Sequence, residues 1–142
     1  MKSVVLAAVA ASAIAAMPAF AAGDPEKGAK AFNQCQTCHV VVNDAGETLA
    51  GRAAKTGPNL YNVIGRKAGS VDGFSYGPSI VAAGEAGLVW DEATFVTYVQ
   101  DPAKFLKDTL GDSKARSKMT FKVRKASDAE DLYAFLTSLA GK

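Results

Sequence analysis

Cys35-Gln36-Thr37-Cys38-His39 decides how this chain is read. Both cysteines of the sequence and its sole histidine fall within these five residues. C-x-x-C-H is the attachment signature of a c-type haem. Two thiols spaced by two residues can reach two vinyl groups on one porphyrin edge, and the next residue places an imidazole under the iron. Other uses of the pair fit less well. A thioredoxin-like dithiol wants a βαβ context. A structural zinc site wants four ligands, and the chain has no further Cys or His. A disulfide across two residues closes too small a loop to stabilise much, and it leaves His39 unexplained. The expectation is one covalent haem c, attached at Cys35 and Cys38, with His39 as an axial ligand.

The second axial ligand is sought in the rest of the chain. With no second histidine, bis-His ligation is excluded. Met1 and Met17 lie in an N-terminal segment with Lys2, an apolar run from Val4 to Ala16, and the small-x-small end Ala19-Phe20-Ala21. That is the pattern of a secretory signal peptide, too short for a membrane span. Residues 1–21 are assigned to it, residues 22–142 to one domain, and the location to the periplasm. Met119 is then the remaining methionine, in the polar stretch Ser117-Lys118-Met119-Thr120-Phe121. A lone Met is usually a filler of core gaps, but beside a haem it is the available sixth ligand. His/Met ligation is that of electron-transfer cytochromes and raises the potential. It also closes the iron to oxygen and peroxide, so the chain is expected to be a carrier and not an enzyme. A gas-binding haem protein and a peroxidase are the rival classes, and both require an open sixth position.

Outward from the motif, the pattern is all-α. Asp24-Pro25-Glu26 caps a first helix, predicted to run to about Gln36, with Gly28 and Phe32 on one face. Residues 43–59, with Gly46, Gly51 and Gly57, read as loop. Further helices are expected from Pro78 to before Gly87, from Asp91 to Gln100, and from Asp101-Pro102 to before Gly111. Ser127 to Glu130 has the form of a capping box, followed by Leu132, Phe135, Leu136 and Leu139 at helical spacing. Helices this short are marginal alone, so a large apolar group at the centre solves a packing problem as well as a chemical one.

Charge is informative only in its distribution. The formal total is +2, and loss of Lys2 lowers it by one. Between Lys104 and Lys125, however, eight basic residues accompany two acidic ones, Asp108 and Asp112. This stretch surrounds Met119, so electrostatic docking to an acidic partner is expected. Nucleic acid is a poor fit for an exported haem domain.

With these residues assembled, the chain resembles the class I cytochromes c, and among them the bacterial cytochrome c2 and c550 group. The resemblance spans the region after the leader and rests on Gly28, Phe32, Cys35 to His39, Lys55-Thr56-Gly57-Pro58-Asn59-Leu60, Gly65-Arg66, Trp90, Tyr98, Lys118 to Phe121 and the last helix. It implies that the Pro58 carbonyl accepts the His39 ring proton, that Arg66, Tyr76 and Trp90 meet the haem propionates, and that Tyr98 and Ser117 sit beside the Met119 sulfur. It further implies that Gly28 and Phe32 pack on Leu132 and Phe135. Phe32, Phe95, Phe105 and Phe135 are read as core filling. The function implied is a soluble one-electron shuttle from a cytochrome bc1 complex to a photosynthetic reaction centre or a terminal cytochrome oxidase, acting as a monomer without stable membrane insertion. Two loops, after His39 and after Pro102, are longer than in short mitochondrial relatives.

Overall fold

The first helix is set by its cap. In the computed structural model, which describes residues 23–142, the Asp24 carboxylate accepts from the backbone N–H groups of Glu26 (2.9 Å) and Lys27 (3.3 Å), and Pro25 occupies the first helical position. The predicted leader and its cleavage point lie outside the described residues. Helix α1 covers Pro25–Ala31 and tightens into a 3-10 turn, Phe32–Gln34, so it is shorter than the expected run to Gln36. The tightening continues through the motif: Cys35 and Gln36 N–H both donate to the Phe32 carbonyl, and His39 N–H donates to Cys35. These turns curl both thiols and the imidazole around one point.

The remaining helices are α2 (Pro78–Glu85), α3 (Glu92–Gln100), α4 (Pro102–Leu110) and α5 (Ala126–Ser138). Their boundaries follow local chemistry. The reciprocal capping box belongs to α3, where Thr94 N–H donates to Asp91 (2.8 Å) and Asp91 N–H donates to the Thr94 hydroxyl (2.9 Å). Asp101 ends α3 and caps α4 through Lys104 N–H (3.1 Å), and Gly111 closes α4 at φ 61°, a conformation that costs glycine little. The box expected at Ser127–Glu130 does not form. Helix α5 starts two residues earlier, with Lys125 at the cap and no side chain bonding there, so Ser127 already lies inside the first turn.

One element departs from the all-α expectation without changing the class. β1 (Val41–Val42) pairs antiparallel with β2 (Thr48–Ala50) in a two-stranded hairpin. Its turn is built by Asn43, whose side chain accepts from Ala45 N–H (3.1 Å) and Glu47 N–H (2.9 Å), and by Gly46 at φ 81°. Strands of two and three residues carry too little alternation to be read from sequence.

Helices α1 and α5 cross closely, as the resemblance implied. A Cβ on Gly28 would collide with the Asp131 carbonyl and lie 2.6 Å from the Phe135 Cβ. Phe32 packs on Phe135 with ring centroids 5.6 Å apart, and Asp24 N–H donates to the Asp131 carboxylate at 2.7 Å. Segment 65–68 pairs with 88–90: Gly65 N–H bonds the Trp90 carbonyl (2.7 Å), Trp90 N–H bonds Arg66 (3.0 Å), and Ala68 N–H bonds Leu88 (2.9 Å). The buried core, including Phe32, Val63, Trp90, Phe95, Val99, Leu132 and Leu136, is wrapped around a central cleft instead of closing on itself. Among the described residues, no helix is long and apolar enough to cross a membrane.

Candidate functional site: a central cleft lined by an imidazole and a thioether

The cleft has a volume of about 430 Å³. Cys35, Cys38 and His39 reach it from the end of α1, Pro58 and Arg66 from the loops that follow, Tyr76 from the loop before α2, Trp90 and Tyr98 from around α3, and Ser117 and Met119 from the loop before α5. All ten residues singled out from the sequence therefore line one cavity. Phe32 and Phe95, read as core filling, do line it as well, so core and site share these side chains.

The motif residues are held in a ladder with residues 57–60. Gly57 N–H donates to the Cys38 carbonyl (2.7 Å), and Leu60 N–H donates to the Val40 carbonyl (2.9 Å). Between them, His39 Nδ1 lies 3.0 Å from the Pro58 carbonyl. A carbonyl can only accept, so Nδ1 carries the proton and Nε2 keeps its lone pair. Burial pushes the His39 pKa below its usual value, against the opposing pull of the Pro58 carbonyl, which favours the neutral ring that can ligate a metal. The approach is tight: the three atoms nearest a Cβ on Gly57 would all belong to the His39 ring. Asn59 completes the ladder, accepting from Val42 N–H (3.0 Å) and Tyr61 N–H (3.1 Å) and donating to the Val42 carbonyl (2.7 Å).

Both cysteines are free and half-buried. Burial, followed by the neighbouring Cys38, pushes the Cys35 thiol up to about 11, so it is protonated at neutral pH. Arg66 points both terminal nitrogens at backbone carbonyls, Nη1 to Tyr61 (2.9 Å) and Nη2 to Asn59 (3.0 Å), while burial lowers its pKa. Burial raises the phenols of Tyr76 and Tyr98, and the Ser117 hydroxyl partly offsets this at Tyr98. Both phenols thus stay neutral donors. Trp90 packs against Tyr98 with ring centroids 4.8 Å apart.

The Met119 loop is braced from three sides. Met119 N–H bonds the Ser117 hydroxyl (3.1 Å). Arg116 N–H bonds Ser79 (3.0 Å), and Lys118 Nζ bonds the Ser75 carbonyl (2.8 Å). Farther along, Val123 N–H reaches Val99 (2.8 Å), and Lys122 pairs with Asp101 at 2.7 Å. The eight basic residues of this region are all exposed. Lys104 and Lys122 are held in ion pairs with Asp108 and Asp101.

Sequence reasoning passed over several wall residues, among them Phe74, Ile80 and Val123. Phe74, an aromatic residue in a glycine-rich loop, carried a signal, since such loops rarely keep a large apolar side chain without something to cover. The cleft fits a flat apolar group: hydrophobic walls, two thiols at one edge, one free imidazole nitrogen, a thioether, and a few neutral or cationic donors. Haem has the matching apolar faces, reactive vinyl edge and anionic propionates.

Comparisons with known proteins agree. No family model matches the chain. It is 59% identical over 142 residues to cytochrome c2 of Cereibacter sphaeroides, covering 99% of this chain and 98% of the relative. It is 55% identical over 136 residues to cytochrome c-551 of Roseobacter denitrificans, covering 96% and 95%. Among solved structures, cytochrome c2 from Rhodobacter sphaeroides superimposes with a TM-score of 0.82 at 60% identity, over 84% of this chain and 98% of that one. Cytochrome c2 from Paracoccus denitrificans gives 0.78 at 42% identity, over 83% and 97%.

Proposed function

Because this chain belongs to the class I cytochromes c, in the cytochrome c2 group, and so is an electron-transfer cytochrome with one covalent haem c, we propose that Cys35 and Cys38 form its thioether links and that His39 and Met119 are its axial ligands. The observation that carries this is the His39–Pro58 bond of 3.0 Å in a cleft that Met119 also lines. It fixes the tautomer and leaves Nε2 for the iron, as partners of metal-bound histidines do. When bound, the haem supplies a one-electron Fe(III)/Fe(II) couple.

The chain's own residues hold that couple poised. Pro58 orients the imidazole and adds to its basicity. The Met119 thioether, soft and neutral, favours the reduced iron and raises the potential. Arg66, with Tyr76 and Trp90, meets the propionates. The neutral hydroxyls of Tyr98 and Ser117 stand beside the sulfur. With His39 and Met119 both holding the iron, little rearrangement would accompany each electron and no coordination site would remain for substrate. The chain is therefore a shuttle and not an enzyme.

Its donor and acceptors are membrane complexes: a cytochrome bc1 complex on one side, a photosynthetic reaction centre or terminal cytochrome oxidase on the other. The processed protein, residues 22–142, works in the periplasm as a monomer. Docking is transient, through the exposed basic face around Met119, whose attraction raises the encounter rate and is screened by salt. Two measurements test this reading. The oxidised protein shows a weak band at the red end of the visible spectrum, which Met119→Ala abolishes while lowering the potential. Oxidation by isolated reaction centres or oxidase slows as ionic strength rises. A protein whose reduced iron binds carbon monoxide avidly, or whose oxidation ignores salt, contradicts the ligation and the docking respectively.

A further inference from the structure

We infer that Asn59 is a positioning residue for His39: its side chain locks the loop bearing the Pro58 carbonyl onto the strand that follows the C-x-x-C-H motif. This deepens the ligation reading and rests on it. Pro58 has no N–H and cannot fasten itself to the ladder. The carbonyl that meets His39 Nδ1 at 3.0 Å is held only by its neighbours in sequence. On one side Gly57 N–H bonds the Cys38 carbonyl (2.7 Å). On the other, the Asn59 amide takes both polar groups of Val42, accepting from its N–H at 3.0 Å and donating to its carbonyl at 2.7 Å. The same oxygen accepts from Tyr61 N–H at 3.1 Å, which stiffens the chain just past the proline. The Asn59 main-chain carbonyl is pinned by Arg66 Nη2 at 3.0 Å.

The geometry leaves Asn59 few substitutes. Only an amide offers an acceptor and a donor on one short, planar group, as the Val42 pair requires. Its amide is half-buried, so an open clamp leaves the Val42 N–H and carbonyl to seek water. The Pro58 carbonyl is then free to drift, and a hydrogen bond weakens steeply once it leaves the narrow range of good distance and angle. A weaker bond makes His39 a poorer electron donor. That disfavours the oxidised iron and raises the potential, the direction opposite to loss of Met119.

The test compares holoprotein carrying Asn59→Ala with Asn43→Ala, which breaks the hairpin turn but leaves residues 57–60 untouched. Asn59→Ala is expected to raise the midpoint potential by a several-fold shift in the oxidation equilibrium and to speed exchange of the His39 ring N–H more than tenfold. The red band of the Met-ligated iron stays. Asn43→Ala changes neither potential nor ring exchange. The inference is overturned if Asn59→Ala matches the unsubstituted protein in both, or if Asn43→Ala reproduces its effects. Should Asn59→Ala fail to mature, exchange in the unsubstituted holoprotein decides. The Val42 and Leu60 amides and the His39 ring proton must share one opening, with similar protection. A ring proton exchanging far faster than Val42 overturns the inference. An unsubstituted holoprotein without the red band overturns the ligation reading itself, a result separable from any failure at Asn59.

Discussion

Gly57→Ala probes the site with a single methyl group. An ideal Cβ at this position lies 2.5 Å from His39 Nδ1 and 2.8 Å from Nε2. Ordinary contact begins near 3.4 Å and His39 Cε1 is closer still than either nitrogen, so the ring must retreat by roughly 1 Å, which a close-packed interior resists. Gly57 and Pro58 are on one loop, so retreat from the first is retreat from the second. A His39–Pro58 distance of 3.0 Å then stretches toward about 4 Å, beyond the range of an N–H···O bond. Loss of that bond costs about 1 kcal/mol, and overpacking a tight contact costs about 1–3 kcal/mol more. The expected destabilisation is about 2–4 kcal/mol, with a mixed-spin visible spectrum and carbon monoxide binding by the reduced form. Denaturant unfolding of the holoprotein and absorption spectra measure both. Gly46→Ala is the control, because no atom lies within 4 Å of its Cβ and its cost is confined to φ 81°. A Gly57→Ala protein with unchanged stability and spectrum would refute the claim that this glycine is required by the imidazole.

Three further outcomes are expected. Gly28→Ala forces α1 off the Asp131 carbonyl and loosens the Phe32–Phe135 pair; the helix-propensity gain of about 1 kcal/mol does not offset it, and denaturant melts show net loss of about 1–3 kcal/mol. Asp91 is held below its usual 3.8, first by Thr94 N–H and then by the Thr94 hydroxyl. Its folded pKa is depressed, so its contribution is present above that usual value and is lost as pH falls through the lowered one; Asp91→Asn keeps a cap, and its unfolding midpoint therefore falls less between pH 5 and pH 3 (about the carboxylate range) than that of the unsubstituted protein. Replacing both Cys35 and Cys38 with Ser removes the links, and circular dichroism at the growth temperature shows loss of most helical signal unless non-covalent haem is supplied.

Much of this was legible from sequence because the decisive groups are rare. One histidine and two cysteines in five residues, with a single methionine among residues 22–142, left few ways to build a site. Helix starts at Asp24, Asp91 and Asp101 were legible because each is an Asp before a helical run, and at Asp24 and Asp101 a Pro follows. Ser127–Glu130 has the letters of a capping box, but α5 begins at Ala126, since the packing of α5 on α1 sets the helix start and not local preference alone. The hairpin was missed because its hydrogen bonds are set by Asn43 and Gly46, short-range turn chemistry that hydrophobic alternation does not report. The resemblance supplied the Pro58–His39 bond, but the ladder around it and the Asn59 clamp on Val42 were illegible, because residues 38–42 and 57–61 are apart in sequence and neither pattern reports backbone pairing.

Stability and electron transfer turn out to be one physical problem in this chain. A cleft of about 430 Å³, left unfilled, would cost on the order of 10 kcal/mol at the penalty known for engineered cavities. That is comparable to the entire stability of an ordinary small domain. Phe32, Trp90, Leu132 and Leu136 are core residues that also line the cleft, where the haem would be their packing partner. A group that supplies so much of the interior is surrounded by walls that cannot relax freely. Those walls carry His39 and Met119, the proposed ligands, from distant parts of the chain, so loosening either one would loosen the core with it. The rigidity that keeps rearrangement small when an electron arrives is therefore the same rigidity that keeps the chain folded. Polar groups near the iron can tune its potential only where, as at Pro58 and Asn59, the backbone itself is fastened in place.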